Sequence, residues 1–426
     1  MATLLLFGTF IILLLLNVPI SISLGISSII TLIFAGVPLD IIPTNIFAAT
    51  SKFALLAIPF FILAGNIMEK GGISEKLINL AKAWVGHKKG GLALVCVIVS
   101  CFFAAISGSG PATVAALGSI IIPTMVNNGY KKNFASALMA SAGGIGIIIP
   151  PSITFVIFGA ITGASIGDLL IAGILPGILV GLALAIAALW VTRREDIKSL
   201  PKAPMEEKVS ATKDALWGLM MPIIILGGIY GGIFTPTEAA AVSVIYGLAI
   251  SVFIYKSIKI KDIYKILVDS TAQTAVVMFI TASASLFAWV MTVEGVANAA
   301  SNLLISLSGG NYLVLLIILN ILLLIAGCVI DTTSALYILA PVFVPVALSL
   351  GIDIIHLGVV VIVNLAIGLI TPPVGVNLYV ACGVGHVSMK EIAKGVVPFL
   401  VASLIALLLI TYIPSISLIL PGLMAK

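Results

Sequence analysis

Ten apolar runs of near-membrane length constrain this chain first: about 3–17, 19–36, 48–68, 133–160, 168–192, 215–232, 236–255, 270–291, 355–384 and 391–413. A helix needs roughly 20 apolar residues to cross the hydrocarbon core, and a backbone in lipid must satisfy its own hydrogen bonds. The runs therefore read as transmembrane helices of an all-α polytopic protein. Composition agrees: 9% of the residues are charged and 61% hydrophobic, against roughly 25% charged in an ordinary soluble chain. Lipid must be the main solvent. The stretch Met1 to Asn17 has an apolar core with no basic leader and no small-residue cleavage site, so it reads as a retained first span. Cys96, Cys101, Cys328 and Cys382 lie in apolar runs without metal or disulfide spacing, and read as buried free thiols.

Two further apolar stretches, about 91–127 and 312–349, are interrupted midway by Ser107-Gly108-Ser109-Gly110-Pro111 and Asp331-Thr332-Thr333-Ser334. Two full crossings would need about 40 apolar residues plus a turn. Each stretch falls short of that and reads as a re-entrant hairpin with its tip inside the membrane.

The hairpins belong to an internal repeat. At a constant offset of 222, Pro123 falls on Pro345, Gly129 on Gly351, Gly146 on Gly368, and Pro150-Pro151 on Pro372-Pro373. Gly163, Gly173 and Pro176 fall likewise on Gly385, Gly395 and Pro398. Glycine and proline mark turns and breaks, so a shared frame of such residues indicates duplication. The expected division is a first repeat over 1–192, a linker over 193–214 and a second repeat over 215–426. The linker carries basic and acidic residues in near balance, and mixed charge of that kind reads as a solvated face, not a nucleic-acid surface.

Lysine and arginine favour the cytoplasmic side of short loops. With both termini outside, the inner loops hold 19 of the 21 basic residues, among them Lys70, Lys88, Lys131, Arg193, Arg194, Lys256 and Lys390. Each repeat then has an odd number of spans, and the second copy enters the membrane inverted. The hairpin tips approach the midplane from opposite faces, an arrangement typical of secondary transporters.

The residues at the tips and breaks suit such a role. Ser107, Ser109 and Thr113 surround the first tip, and Asp331 occupies the position equivalent to Ser109. A helix broken inside the membrane offers carbonyls to a hard monovalent cation, while the restarting helix offers amides to an anion. Those side chains could instead serve only as helix caps, but a carboxylate at membrane depth is costly without a partner. A second pair of breaks lies about 40 residues after each tip, at Gly143-Gly144-Ile145-Gly146 before Pro150-Pro151 and at Gly368 before Pro372-Pro373. Proline removes amide donors there and glycine lets the chain unwind. Thr235-Pro236-Thr237-Glu238 has the form of a capping box, which favours a structural role for Glu238 over one at a third ion site or the substrate vestibule. His87, His356 and His386 are scattered, and there is no zinc, Walker or Ser/His/Asp signature for an enzyme.

Ser107-Gly-Ser-Gly-Pro-Ala-Thr113, Gly146-Ile-Ile-Ile-Pro-Pro-Ser152, Phe234-Thr-Pro-Thr-Glu-Ala-Ala240, Asp331-Thr-Thr-Ser334 and Gly368-Leu-Ile-Thr-Pro-Pro-Val-Gly375 occur in order along the chain. Together they resemble the large membrane (M) subunit of tripartite ATP-independent periplasmic (TRAP) transporters, over nearly the whole length. The resemblance implies an elevator-type fold like that of the ion-transporter superfamily, in the bacterial inner membrane. It also implies a small four-helix membrane (Q) subunit as a separate chain, a periplasmic substrate-binding (P) protein, and sodium ions as the coupling cofactor. Carried over to this sequence, one sodium site would involve Ala105, Ser107 and Ser109 with Gly144, Gly146 and Pro150. The other would involve Gly327, Cys328 and Asp331 with Gly368, Thr371 and Pro372. The substrate carboxylate would lie near Ser109, Ser152, Thr332, Thr333 and Asn377.

The expected activity is sodium-coupled import of an organic carboxylate, with sialic acid the first expectation and a C4-dicarboxylate the second. A stand-alone sodium/carboxylate symporter is one alternative. An ion channel is another, because re-entrant loops also build selectivity filters.

Overall fold

The computed structural model describes residues 1–193, 195 and 197–424, so Arg194 and Asp196 of the expected linker lie outside the described residues. The first half runs α1 Ala2–Leu15, α2 Ile20–Ala35, α3 Ile41–Thr50, α4 Ala57–Lys70, α5 Ile73–Val85, α6 Gly91–Ser107, α7 Gly110–Asn127, α8 Lys132–Gly144, α9 Ile153–Thr162, α10 Ile166–Ala172 and α11 Ile174–Thr192. The second half runs α12 Met205–Tyr230, α13 Pro236–Ala249, α14 Ile260–Val293, α15 Val296–Ser308, α16 Tyr312–Val329, α17 Thr332–Ser349, α18 Ile354–Gly368, α19 Val376–Gly385, α20 Met389–Tyr412 and α21 Ser415–Met424.

Nine helices among the described residues are long and apolar enough to cross a membrane. Three of these, α7, α16 and α17, are limbs of the hairpins. Each has 18 residues, about 27 Å at the α-helical rise. Length alone therefore does not separate them from spans. The first tip packs against Pro151 and Ile153, inside the 133–160 run, which is the contact a re-entrant hairpin requires. That run is missing from the count of nine because it is broken into α8 and α9, and 355–384 is broken into α18 and α19 in the same way.

The repeat reappears in the element boundaries. Shifted by 222, α7 falls on the bounds of α17. Under the same shift α5, α6, α8 and α9 land within two residues of α15, α16, α18 and α19. Packing cuts across this division of the chain. Of the pre-hairpin elements, α4 packs on α13 and α14, α2 on α14, and α5 on α12. The hairpin-bearing elements form a second group, with α19 against α7 and α8, and α20 against α8 and α11. Contacts of α5 with α6 and of α14 with α17 join the two groups.

Several segments differ from expectation. The stretch expected as linker to residue 214 is helical from Met205. Glu206 and Glu207 sit in the first turn of α12, where acids complement the helix dipole, and Trp84 holds the helix by donating Nε1–H to Thr212 Oγ1 at 3.1 Å. The span placed at 270–291 belongs to a helix of 34 residues that begins at Ile260. The 48–68 run is kinked, with α3 and α4 separated by a 3₁₀ turn at Phe53–Leu56. α21 follows the last expected span. Helix α5 was not foreseen as a distinct element: it buries Ile73, Leu77, Ile78 and Ala81 on one stripe and leaves Lys76 and Lys82 off it, the pattern of a helix half in contact with a core.

The capping box predicted at Thr235 is present. Thr235 N–H donates to Glu238 Oε2 at 2.8 Å, and Glu238 N–H donates to Thr235 Oγ1 at 3.3 Å. Glu238→Ala removes the carboxylate to which Thr235 N–H and Thr235 Oγ1–H donate, while the backbone N–H of residue 238 keeps its bond to Thr235 Oγ1; it should lower stability by about 1 kcal/mol, read as a lower melting temperature of the purified protein with uptake retained. Lost uptake at an unchanged melting temperature would place Glu238 in the transport machinery instead.

Candidate functional site

Hairpin 1 turns over two residues. Gly108 closes α6 in the left-handed region (φ 60°), and Ser109 caps α7 by accepting from Ala112 N–H. Behind the turn, Ser107 Oγ lies 2.7 Å from Thr113 Oγ1, and Thr113 Oγ1–H donates to the Ser109 carbonyl at 2.8 Å. The Ser107 and Thr113 side chains are buried. Gly146 approaches them so closely that an added Cβ would stand 2.7 Å from Thr113 Oγ1 and 2.8 Å from the Ser109 carbonyl oxygen. Tip 1 thus meets break 1, which brings Ser107, Ser109 and Gly146 together. Gly144 sits apart from them, its free face against the Ala366 carbonyl of α18.

The same contact recurs in the second repeat. Val374 N–H in break 2 donates to the Cys328 carbonyl at 3.2 Å. Gly327 and Gly368 touch backbone to backbone, and a Cβ on Gly368 would lie 2.5 Å from the Gly327 carbonyl carbon. Asp331 caps α17 by accepting from Ser334 N–H at 3.0 Å, and Ser334 Oγ–H also donates to it. Thr371, just past the end of α18, turns its hydroxyl back to the Ile367 carbonyl of that helix at 2.7 Å.

Between the tips is a cavity of about 150 Å³ lined by Ser109, Thr154, Asp331, Thr332 and Thr333, with Ile147 and Leu369 from the two breaks. No lysine or arginine lines it. Four helices begin at its wall: α7 beside Ser109 and Pro111, α9 at Ile153, α17 at Thr332 and α19 at Val376. Each places its N-terminus, the positive end of the helix dipole, at the same wall, and Ser109, Ser152 and Asp331 each accept one of their first-turn amides. The helices that end nearby, α6, α8, α16 and α18, bare carbonyls instead. The arrangement can hold an anion on amides and hydroxyls, and cations on carbonyls, with no basic residue.

Three of the five expected substrate residues, Ser109, Thr332 and Thr333, meet at this cavity. Ser152 and Asn377 are fully buried and line no part of it. Ser152 donates to the Ile147 carbonyl at 2.6 Å and accepts from Phe155 N–H, so it ties off the unwound segment. Asn377 donates to the Ala140 carbonyl at 3.1 Å, which binds the two repeats together, and its Oδ1 has no partner. Sequence reasoning missed Asn66 and Gln273. They line an adjoining cavity of about 500 Å³ that shares Ser109, Pro111, Ile153 and Val277 with the first. Neither lies in a motif or at a break, so only the packing of α4 on α14 reveals them. A separate hollow of about 670 Å³ between α5 and α12, lined by Lys76, Lys82 and Lys202, shares no residue with the tips.

The glycine contact at the second site is open to a direct test. Gly368→Ala presses a methyl group into backbone, which cannot swing aside, and should cost about 1–3 kcal/mol in thermal melts of the purified protein. Gly383→Ala, with nothing within 4 Å, should leave the melt unchanged. Equal behaviour of the two variants would contradict the close approach.

Residues 7–416 match the profile of the tripartite ATP-independent periplasmic transporter, DctM component. The chain is 42% identical to the C4-dicarboxylate TRAP transporter large permease protein DctM of Rhodobacter capsulatus, over 100% of both chains. It is 39% identical to the sialic acid TRAP transporter large permease protein SiaM of Vibrio cholerae, over 87% of each. It is 43% identical to the isethionate permease protein DctMQ of Oleidesulfovibrio alaskensis, over 98% of this chain and 66% of that one. Among solved structures, the YdaH transporter of Alcanivorax borkumensis superposes with a TM-score of 0.64 over 88% of both chains at 15% identity, a likeness of fold.

Proposed function

The chain belongs to the tripartite ATP-independent periplasmic transporter family as its DctM, or large permease, component, a transporter and not an enzyme, and from that premise we propose that it imports a small organic carboxylate coupled to sodium ions. The observation that carries this reading is the convergence of four helix N-termini on one cavity without a lysine or arginine. An anion there is held by amides and hydroxyls. Sodium, bound where each tip meets its break, offsets the anion's charge and holds the hairpin against the broken helix.

A C4-dicarboxylate is the preferred substrate and sialic acid the second choice, the reverse of the order drawn from sequence. The preference rests on the relative matched over the full length of both chains, which is a C4-dicarboxylate permease by name. The partners are a small membrane subunit and a periplasmic binding protein that delivers the substrate. The protein resides in the bacterial inner membrane with both termini periplasmic. That orientation puts the loops bearing Lys70, Lys131 and Lys256 in the cytoplasm, and the second repeat inverted relative to the first.

The test is uptake into proteoliposomes holding this chain and its small membrane subunit, with the binding protein supplied outside. Asp331→Ala removes the cap of α17 and a charged oxygen at tip 2, and should raise the sodium concentration for half-maximal uptake about tenfold. Ser109→Ala combined with Thr333→Ala should act in the same direction. Unchanged sodium dependence in both variants would take the tips out of the coupling mechanism.

A further inference from the structure

Asn377 is fully buried, and it joins pieces of the molecule that belong to different candidate cation sites. Its backbone N–H donates to the Leu369 carbonyl at 3.0 Å, across break 2. Its Nδ2–H donates to the Ala140 carbonyl at 3.1 Å, in the last turn of α8 as that helix runs into break 1. The same amide lies against tip 1, where a Cβ on Gly110 would stand 3.0 Å from Oδ1 and 3.2 Å from Nδ2. Oδ1 has no hydrogen-bond partner. Turning the amide over would not relieve it, because an oxygen would then face the Ala140 carbonyl. Nor does the fold demand an amide at this place. At the repeat offset of 222 the equivalent residue is Phe155, also fully buried, whose ring packs against Gly173. One copy closes with an apolar side chain. The other tolerates a buried oxygen without a partner, which is unfavourable, and has in return a hydrogen bond that crosses between the repeats.

We propose that Asn377 is a positioning residue that couples the two sodium sites, so that filling one favours filling the other. This rests on the sodium-coupled reading above. Each ion has to hold a hairpin tip and a broken helix in one arrangement, and that ordering costs part of its binding energy. An ion at the first site, by holding tip 1 and the end of α8, also holds Asn377 at the start of α19, and with it the Leu369 turn of break 2. The second ion then meets a site that is already partly ordered, which is positive cooperativity without a change of fold. Hydrogen bonds between helices in a membrane are individually modest, so the tie couples the sites without welding them. Its consequence is that carriers holding a single ion are scarce, and both tips are braced together when the carboxylate arrives.

The experiment is equilibrium sodium binding to the purified membrane complex, this chain with its small subunit, followed by titration calorimetry. Binding is measured in place of uptake because a transporter that needs two ions gives a sigmoidal uptake curve even when its sites are independent. For two like sites, a coupling of about 25-fold gives a Hill coefficient of about 1.7, and its loss brings the coefficient to about 1 and raises the half-saturating sodium concentration about fivefold. Wild type should show the first behaviour and Asn377→Leu the second, with two ions still bound, which also reports that the variant is folded. Asn377→Ala removes the same side-chain contacts without needing extra space and gives the same reading if the leucine is not accommodated. Ser152→Ala is the control for a merely structural role. It cuts a tie within break 1 alone, and should weaken binding while leaving the coefficient at the wild-type value. A wild-type coefficient in both Asn377 variants, or an equal fall in Ser152→Ala, would overturn the assignment to Asn377. Wild type that binds two ions independently overturns the coupling and leaves sodium-driven transport standing, whereas wild type that binds no sodium overturns the sodium-coupled reading and this inference with it.

Discussion

The structure turns on peptide groups that a helix break leaves unpaired in lipid. A break inside a membrane exposes carbonyls on one side and amides on the other, each costly without a partner. Here the breaks are stacked on each other. Tip 1 covers break 1 through Gly108, Gly146 and the Ser107–Thr113 hydroxyl pair, and tip 2 covers break 2 through Gly327, Gly368 and the Val374–Cys328 bond. Much of the cost is met within each repeat, and the remainder faces a single cavity. The regrouping of elements across the repeat boundary follows from this. The two tip–break units must face each other to share that cavity, so α19 comes to pack on α7 and α8, and the pre-hairpin helices are left to pack together.

The pattern of backbone breaks was legible in the sequence because glycine and proline report main-chain geometry directly. The offset of 222, the two tips and the two Pro-Pro breaks all reappear at their expected places. Side-chain roles were less legible. Ser152 and Asn377 carry oxygens suited to a ligand, yet one ties off its own unwound turn and the other links α19 to the Ala140 carbonyl. Nothing local distinguishes a hydroxyl turned inward from one turned toward a cavity. Asn66 and Gln273 escaped for the opposite reason, because their meeting depends on α4 and α14 packing side by side. At the linker, charge reported the solvated face but not the backbone, because the residues from Met205 form the first turns of α12.

The buried polar groups away from the cavity show how a largely apolar chain fixes its packing. Asn364 donates to Asn320 Oδ1 at 2.8 Å, and Asn320 donates to Thr411 Oγ1 at 3.2 Å, joining α18, α16 and α20. His356 extends the chain of contacts to Ser417 of α21. Lipid tails are as apolar as leucine, so burial alone gives little preference for one helix register over another, and side-chain hydrogen bonds of this kind supply it. The role of His356 is consistent with its distance from the tips: it anchors the C-terminal helix.

A pocket made of main-chain dipoles is encoded by torsion angles instead of by any one functional group. Replacing a side chain at the rim reshapes the chamber but leaves four helix starts around it, so in the proposed role an anion is still held after changes that alter which anion fits. The fragile positions are accordingly the small ones. Gly108, Gly146, Gly327 and Gly368 carry no chemistry of their own, yet they set how near the peptide planes come. In the proposed role, selectivity is free to drift along the walls, while the charge preference stays locked in the backbone geometry of the breaks.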